Sequence, residues 1–203
     1  MLPLKLIVGL GNPGPTYART RHNVGEAWVR SLASAQGINL APDSRFKGEI
    51  GRGTISGQDV RLLVPTTFMN LSGEAVGAVA RFYKLDVQEI LVAYDEMAFE
   101  PGIVRLKAGG GDNGHNGLKS IRSSLGNNGD YHRLRIGVGH PGDKNRVINY
   151  LTRVAIPSAE EVQIEDALRM SESVLKAIVS GDWQAAMNVL HLTGTTPKLE
   201  EDK

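Results

Sequence analysis

The 203-residue chain contains no cysteine. Disulfides, thiolate nucleophiles and Cys-ligated zinc are excluded with it, and a reducing cytoplasm is compatible with that. Long apolar runs are missing too. None approaches the roughly 20 residues that span a bilayer, so no membrane contact is expected. The start, Met1-Leu2-Pro3-Leu4-Lys5, lacks the charged head and apolar stretch of a secretory leader. No H-E-x-x-H occurs, and no two of the five histidines stand four apart, so neither a metal nor another cofactor is expected. A G-x-S-x-G elbow is absent as well. A hydrolase built on this chain would therefore use direct attack by water.

What is present is ordinary in bulk and uneven in detail. Apolar residues make up 41% of the chain, enough for one sizeable core. The net charge of +1 says little, but its distribution says more. Residues 105–153 hold 9 Lys/Arg against 3 Asp, whereas residues 154–203 hold 4 Lys/Arg against 9 Asp/Glu. The middle segment is suited either to a polyanion or to an acidic neighbour.

Patterning predicts a buried strand over 4–10 and a helix from Val24 to a stop at Gly37. Strands over 46–55 and 60–66 are joined by Ser56-Gly57-Gln58-Asp59, a hairpin signal. A helix over 72–84, strands over 90–94 and 103–107, a helix over 116–125 and a strand over 132–138 follow. Ser158 and Glu161 spell a capping box ahead of one long apolar stripe from Ile164 to Ile178, which Gly181-Asp182 breaks before a short helix to about His191. The expected architecture is a single α/β domain over residues 1–192, a twisted mixed β-sheet flanked by helices. A polar tail is expected over 193–203.

Residues 9–14 read Gly-Leu-Gly-Asn-Pro-Gly, a G-x-G-x-x-G pattern directly after a strand. A dinucleotide site needs a helix that starts at the glycines and an acidic residue about twenty positions on. Here Pro13 disfavours helical geometry at Asn12, helical periodicity starts only near residue 23, and residues 31–36 contain no acid. The stretch is better read as a strand end and tight turn that holds the Asn12 side chain outward. A second glycine cluster, Gly109 to Gly117, fails the phosphate-loop spacing, because Leu118 separates Gly117 from Lys119. It still offers backbone N–H groups ahead of a helix, or it is a plain flexible loop.

His22 is the natural base for water, and Asp95, at the end of a buried strand, is the natural partner to orient it. The bland alternatives are a capping histidine and a loop-side carboxylate. Asn12, Asn70 and Asn116 all fall at element junctions. An asparagine offers a donor and an acceptor without charge, and three around one cleft would position water, peptide and oxyanion. Taken singly, each is a cap or turn residue.

Five motifs in one order, GLGNPGPTYARTRHNVG, TTFMNLSG, YDEM…PG, KAGGGDNGHNGLKS and HRLRIGVGHPGDKN, resemble the bacterial peptidyl-tRNA hydrolases. The resemblance runs from about residue 5 to residue 190. It implies a monomeric, metal-free cytoplasmic esterase that cleaves the bond between a peptide's carboxyl end and the 3′ ribose of tRNA. It further implies His22 as general base, Asp95 as its partner, and Asn12 and Asn70 as groups that position substrate and stabilise the oxyanion. Asn116 and the loop at Gly114 would hold the peptide main chain, with Tyr17, Phe68, Met69 and His115 in the same groove. Lys107, Arg135 and Lys144 would grip tRNA phosphates. Two departures stand out. Tyr94-Asp95-Glu96-Met97-Ala98 replaces the usual His-Asp-Glu-Leu-Asp, and Asp112 occupies a loop position that is often neutral, where a carboxylate is expected to weaken an RNA contact. The competing expectation is an RNA-binding protein on the same scaffold without hydrolytic activity.

Overall fold

The computed structural model describes residues 2–192. The strands are β1 (Leu6–Gly9), β2 (Ala41–Asp43), β3 (Gly48–Ile55), β4 (Gln58–Pro65), β5 (Ile90–Glu96), β6 (Val104–Ala108) and β7 (His132–Gly137). The helices are α1 (Val24–Ala35), α2 (Ser72–Tyr83), α3 (Asn116–Ser124), α4 (Val147–Thr152), α5 (Ser158–Leu168), α6 (Glu172–Ser180) and α7 (Trp183–Leu190).

All seven strands join one sheet in the order β2-β3-β4-β1-β5-β7-β6. The four central strands, β4, β1, β5 and β7, are mutually parallel. Antiparallel strands flank them on both sides, so the sheet is mixed, in agreement with the expectation. Alternation along the strands divides two cores. Ile7, Leu91, Ala93, Leu134 and Ile136 face α1, α5, α6 and α7. Leu6, Val8, Val92 and Tyr94 face α2 and α3. The strand order places β4 and β5 on opposite sides of β1, a switch point outside whose strand C-termini α/β proteins commonly place a ligand crevice.

Local sequence explains how α1 reaches that switch point. Val24, Trp28, Val29 and Leu32 form its buried face. A Cβ at Gly25 would collide with the Ala93 carbonyl oxygen, and one at Gly9 with Val29 and the Gly25 carbonyl. Glycine at both positions lets α1 lie directly on β1 and β5.

Several expectations need correction. The hairpin turn is the two residues Ser56-Gly57, both with positive φ (46° and 84°), so β4 starts at Gln58 and not at residue 60. The stripe from Ile164 to Ile178 belongs to two helices, because Ser171 accepts a hydrogen bond from the Val174 N–H and starts α6. Its periodicity survives the break because both helices cover the same core. The Ser158–Glu161 capping box does not form. Pro157 holds the cap position, and Glu161 instead pairs with Arg19 at 2.7 Å. Two elements carried no usable pattern: β2 is three residues with a proline, mostly exposed, and α4 is six residues long. The polar tail expected from Thr193 lies outside the described residues.

Candidate active site

β1 ends at Gly9 and the chain turns through Asn12, which is buried. A short 3-10 turn, Arg21–Asn23, precedes α1 and carries His22. Because α1 lies so close to β5, His22 meets Asp95, the sixth residue of that strand. Its Nδ1 sits 2.9 Å from both Asp95 carboxylate oxygens. Both side chains are buried. Burial alone would push the His22 imidazole down. The charge of Asp95 and its hydrogen bond outweigh burial and hold His22 above the ordinary histidine value. Burial alone would likewise raise Asp95, but His22 and His115 hold its carboxyl well below the usual range. Asp95 therefore stays ionised, fixes the proton on Nδ1 and leaves Nε2 of His22 as the basic nitrogen.

His115 is the second imidazole on this carboxylate, with Nε2 2.9 Å from Asp95 Oδ1. It is also the N-cap of α3, where its Nδ1 accepts from the Gly117 and Leu118 N–H groups. An Nδ1 that accepts leaves the proton on Nε2, so His115 donates to Asp95 as a neutral ring. The imidazoles of His22 and His115 lie 4.9 Å apart.

Metal chemistry was expected to be absent on the grounds of helical spacing, and that ground fails. His22, Asp95 and His115 come from three separate elements, and their ligand atoms all lie within 4.8 Å of one another. The hydrogen bonds nevertheless suit a carboxylate shared by two N–H donors. A metal would have to displace both ring protons.

Asn12 is positioned by Asn23, which the sequence did not single out, and by the backbone of Met69. Asn23 brackets its backbone: the Asn12 N–H donates to Asn23 Oδ1 and Asn23 Nδ2 donates to the Asn12 carbonyl, both at 2.9 Å. The Met69 N–H then donates to Asn12 Oδ1 at 2.8 Å. With one lone pair of its oxygen taken by the Met69 N–H, the Asn12 amide keeps its NH2 as a donor. Asn23 follows the candidate base directly, and that adjacency was the one sequence signal available for it.

The remaining candidates fall into two groups. Met69 is buried, and Gly117 packs so closely that a Cβ there would meet its sulfur at 2.6 Å. Tyr17 and Phe68 stack edge to face at 6.4 Å, with Phe68 54% exposed. Asn70, Gly114 and Asn116 are exposed, on a 3-10 turn, the glycine loop and the first turn of α3. The cations gather elsewhere. Lys107 pairs with Arg133, and Arg105 with Arg135, across β6 and β7, so all four side chains share one sheet face. Arg135 is not free on that face: it contacts Glu96 at 3.0 Å and covers the Phe99 ring. Lys144 stands apart, exposed on a 3-10 turn after β7. Asp112 lies 3.3 Å from Arg122 Nε, an ion pair without a hydrogen bond that partly compensates its charge.

A mixed sheet covered on both faces, with a histidine–carboxylate cluster at its strand ends, defines an α/β protein with a site suited to acid–base chemistry. A profile of the family described as Peptidyl-tRNA hydrolase matches residues 6–200. Peptidyl-tRNA hydrolases of Pseudomonas savastanoi pv. phaseolicola and Shewanella woodyi are 50% and 51% identical over 191 residues, covering 94% of this chain and 98% of each relative. The crystal structure of peptidyl-tRNA hydrolase from Acinetobacter baumannii superposes with a TM-score of 0.90 at 45% identity, covering 95% of this chain and 97% of that one. The chain belongs to the peptidyl-tRNA hydrolase family.

Proposed function

We propose that this protein hydrolyses the ester between the carboxyl end of a peptide and the 3′ ribose of tRNA, with His22 as general base. The observation that carries the reading is the His22–Asp95 pair, which leaves Nε2 without a protein partner among the described residues. Nε2 takes a proton from water as the water oxygen attacks the ester carbonyl. The imidazolium formed is stabilised by the Asp95 carboxylate. The Asn12 NH2 donates to the oxyanion that develops. Collapse of the tetrahedral intermediate breaks the bond to the ribose oxygen, which receives the proton from His22. Free peptide and free tRNA result, and no step calls on a metal.

Tyr17, Phe68, Met69, Asn70, Gly114, His115 and Asn116 line the path for the peptide and the 3′ end. Lys107, Arg135 and Lys144 meet tRNA phosphates, where their charge raises affinity in low salt. The protein acts as a monomer in the cytoplasm.

The test is release of an N-blocked aminoacyl group from tRNA in the presence of EDTA, with wild type and His22→Ala compared. Wild-type turnover that falls by about 10²–10⁴ in the variant supports the mechanism. Equal turnover in His22→Ala refutes the assignment of the base. Loss of wild-type turnover in EDTA, restored by a divalent cation, gives the three-residue cluster to a metal. Tight tRNA binding without turnover makes the protein an RNA-binding member of the fold.

A further inference from the structure

The glycine loop that leads to His115 is held from beneath by two arginines, neither of which the reaction above employs. Arg133 is buried, at 2% exposure. Its Nη1 donates to the Gly111 carbonyl and its Nη2 to the Gly110 carbonyl, both at 2.6 Å. The Tyr131 ring lies 4.7 Å from its guanidinium carbon. Arg122, on α3, donates from Nη2 to the same Gly110 carbonyl at 2.7 Å. One peptide oxygen therefore receives two guanidinium N–H groups, a strong charge-assisted arrangement. The loop is shaped to allow it: Gly109, Gly110, Asn113 and Gly114 all have positive φ.

Asp112 closes the arrangement. Its Oδ1 lies 3.3 Å from Arg122 Nε, an ion pair in which neither atom makes a hydrogen bond among the described residues, and its carbonyl accepts the His115 N–H at 2.8 Å. A continuous set of contacts thus runs from Arg122 through Asp112 to the backbone of His115. From there the His115 ring reaches Asp95.

We propose that Arg122 and Arg133 are positioning residues that pin the glycine loop, and that Asp112 is the charge that keeps Arg122 on it. The pinned loop sets the His115 ring against Asp95 and holds the first turn of α3 at the cleft. Loosening it displaces groups at the reacting centre without removing any of them, and small displacements of that kind are costly to turnover. The proposal rests on the reading of His22, Asp95 and His115 as the reacting centre.

The experiment measures kcat and KM separately, with N-blocked aminoacyl-tRNA, for Asp112→Ala, Arg122→Ala and the double variant, with Asp112→Asn and His22→Ala as companions. Arg133 is left intact, because truncating a buried guanidinium risks the fold. Each single alanine variant is expected to lower kcat about tenfold. The double variant is expected to be no slower than the worse single, since both act through one network. Asp112→Asn is expected to lose rate as Asp112→Ala does, because the amide keeps the shape of the side chain but not the charge that faces Arg122; full activity in Asp112→Asn overturns the role of that charge. Unchanged kcat in both singles, or losses that multiply in the double, overturns the proposal. So does a KM that moves in opposite directions in the two singles with kcat intact, the signature of two bare charges acting on RNA. Undiminished turnover in His22→Ala instead overturns the reading of the reacting centre on which the proposal rests.

Discussion

Replacing Asp95 by asparagine cuts the pair at the centre of the site while keeping its shape. In the native protein two imidazole N–H groups converge on the carboxylate: His22 on both oxygens, His115 on Oδ1. An asparagine has one acceptor oxygen, so one imidazole must face an NH2 instead. His115 is already fixed as a donor by its capping bonds. The amide oxygen therefore goes to His115, and the NH2 faces His22 Nδ1, which must then accept. That moves the His22 proton to Nε2, the nitrogen that has to be free for catalysis. Where a histidine–carboxylate pair is cut in this way, kcat falls by about 10⁴. The pH dependence must shift as well. With Asp95 present, His22 lies above the ordinary value of about 6.5, so the acidic limb of kcat/KM falls above it. Without the carboxylate only the downward push of burial remains, and the limb should move below about 6.5. The assay is kcat/KM for N-blocked aminoacyl-tRNA from about pH 5 to about pH 9, in wild type and Asp95→Asn. A limb that stays put, or a loss smaller than about tenfold, would refute the assigned roles.

Two further predictions concern the scaffold. Gly25→Ala should cost about 1–3 kcal/mol in urea denaturation and lower kcat, because the new methyl meets the Ala93 carbonyl and lifts α1, and with it His22, from β5; a variant of native stability and rate would sever the link between this contact and the site. His132, stacked on Trp183 at 3.7 Å, is pushed down to about 4 by burial, so between that value and about 6.5 the unfolded chain binds the extra proton. Stability from this group is complete above about 6.5 and is lost as the pH falls towards 4, by about 2 kcal/mol after solvent screening. Urea midpoints across that range should therefore fall less steeply in His132→Phe than in wild type, and equal slopes would assign the acid sensitivity elsewhere.

The order of strands and helices was legible because β1 and β5 carry continuous apolar runs, β7 alternates apolar with polar residues, and each early helix has one apolar face. The later helices were less so, since a stripe that continues across a break looks like one helix. The candidate residues could be picked out by type and by place at strand ends, but their contacts could not. Nothing in the sequence places His115, beyond a glycine loop, on the same carboxylate as His22. For Asn23 adjacency to His22 was the only signal, since its side chain grips mainly the Asn12 backbone, and backbone partners leave no residue-type signal. Arg135 was identifiable as a cation, yet its pairing with Glu96 depends on the register of β5 and β7, in which Glu96 stands opposite Gly137, two residues beyond Arg135.

The opening Gly9–Gly14 hexapeptide shows how one spelling can serve a different physical end. In a dinucleotide site the glycines bring backbone close to a pyrophosphate at a helix N-terminus. Here α1 starts at Val24, ten residues past Gly14. Gly9 makes room for α1, and a Cβ at Gly11 would crowd Asn23 at 2.8 Å. Gly14 takes a φ of +97° in the turn that follows. Two of these glycines thus let protein, not ligand, come close, and what they admit is the segment that carries His22 and Asn23. The same lack of side chains that would have made a cofactor cradle instead sets the base against its carboxylate and Asn12 against its bracket. The geometry of the proposed centre follows from close packing of α1 on β1 and β5, and for that reason a single methyl at Gly25 should be felt at His22.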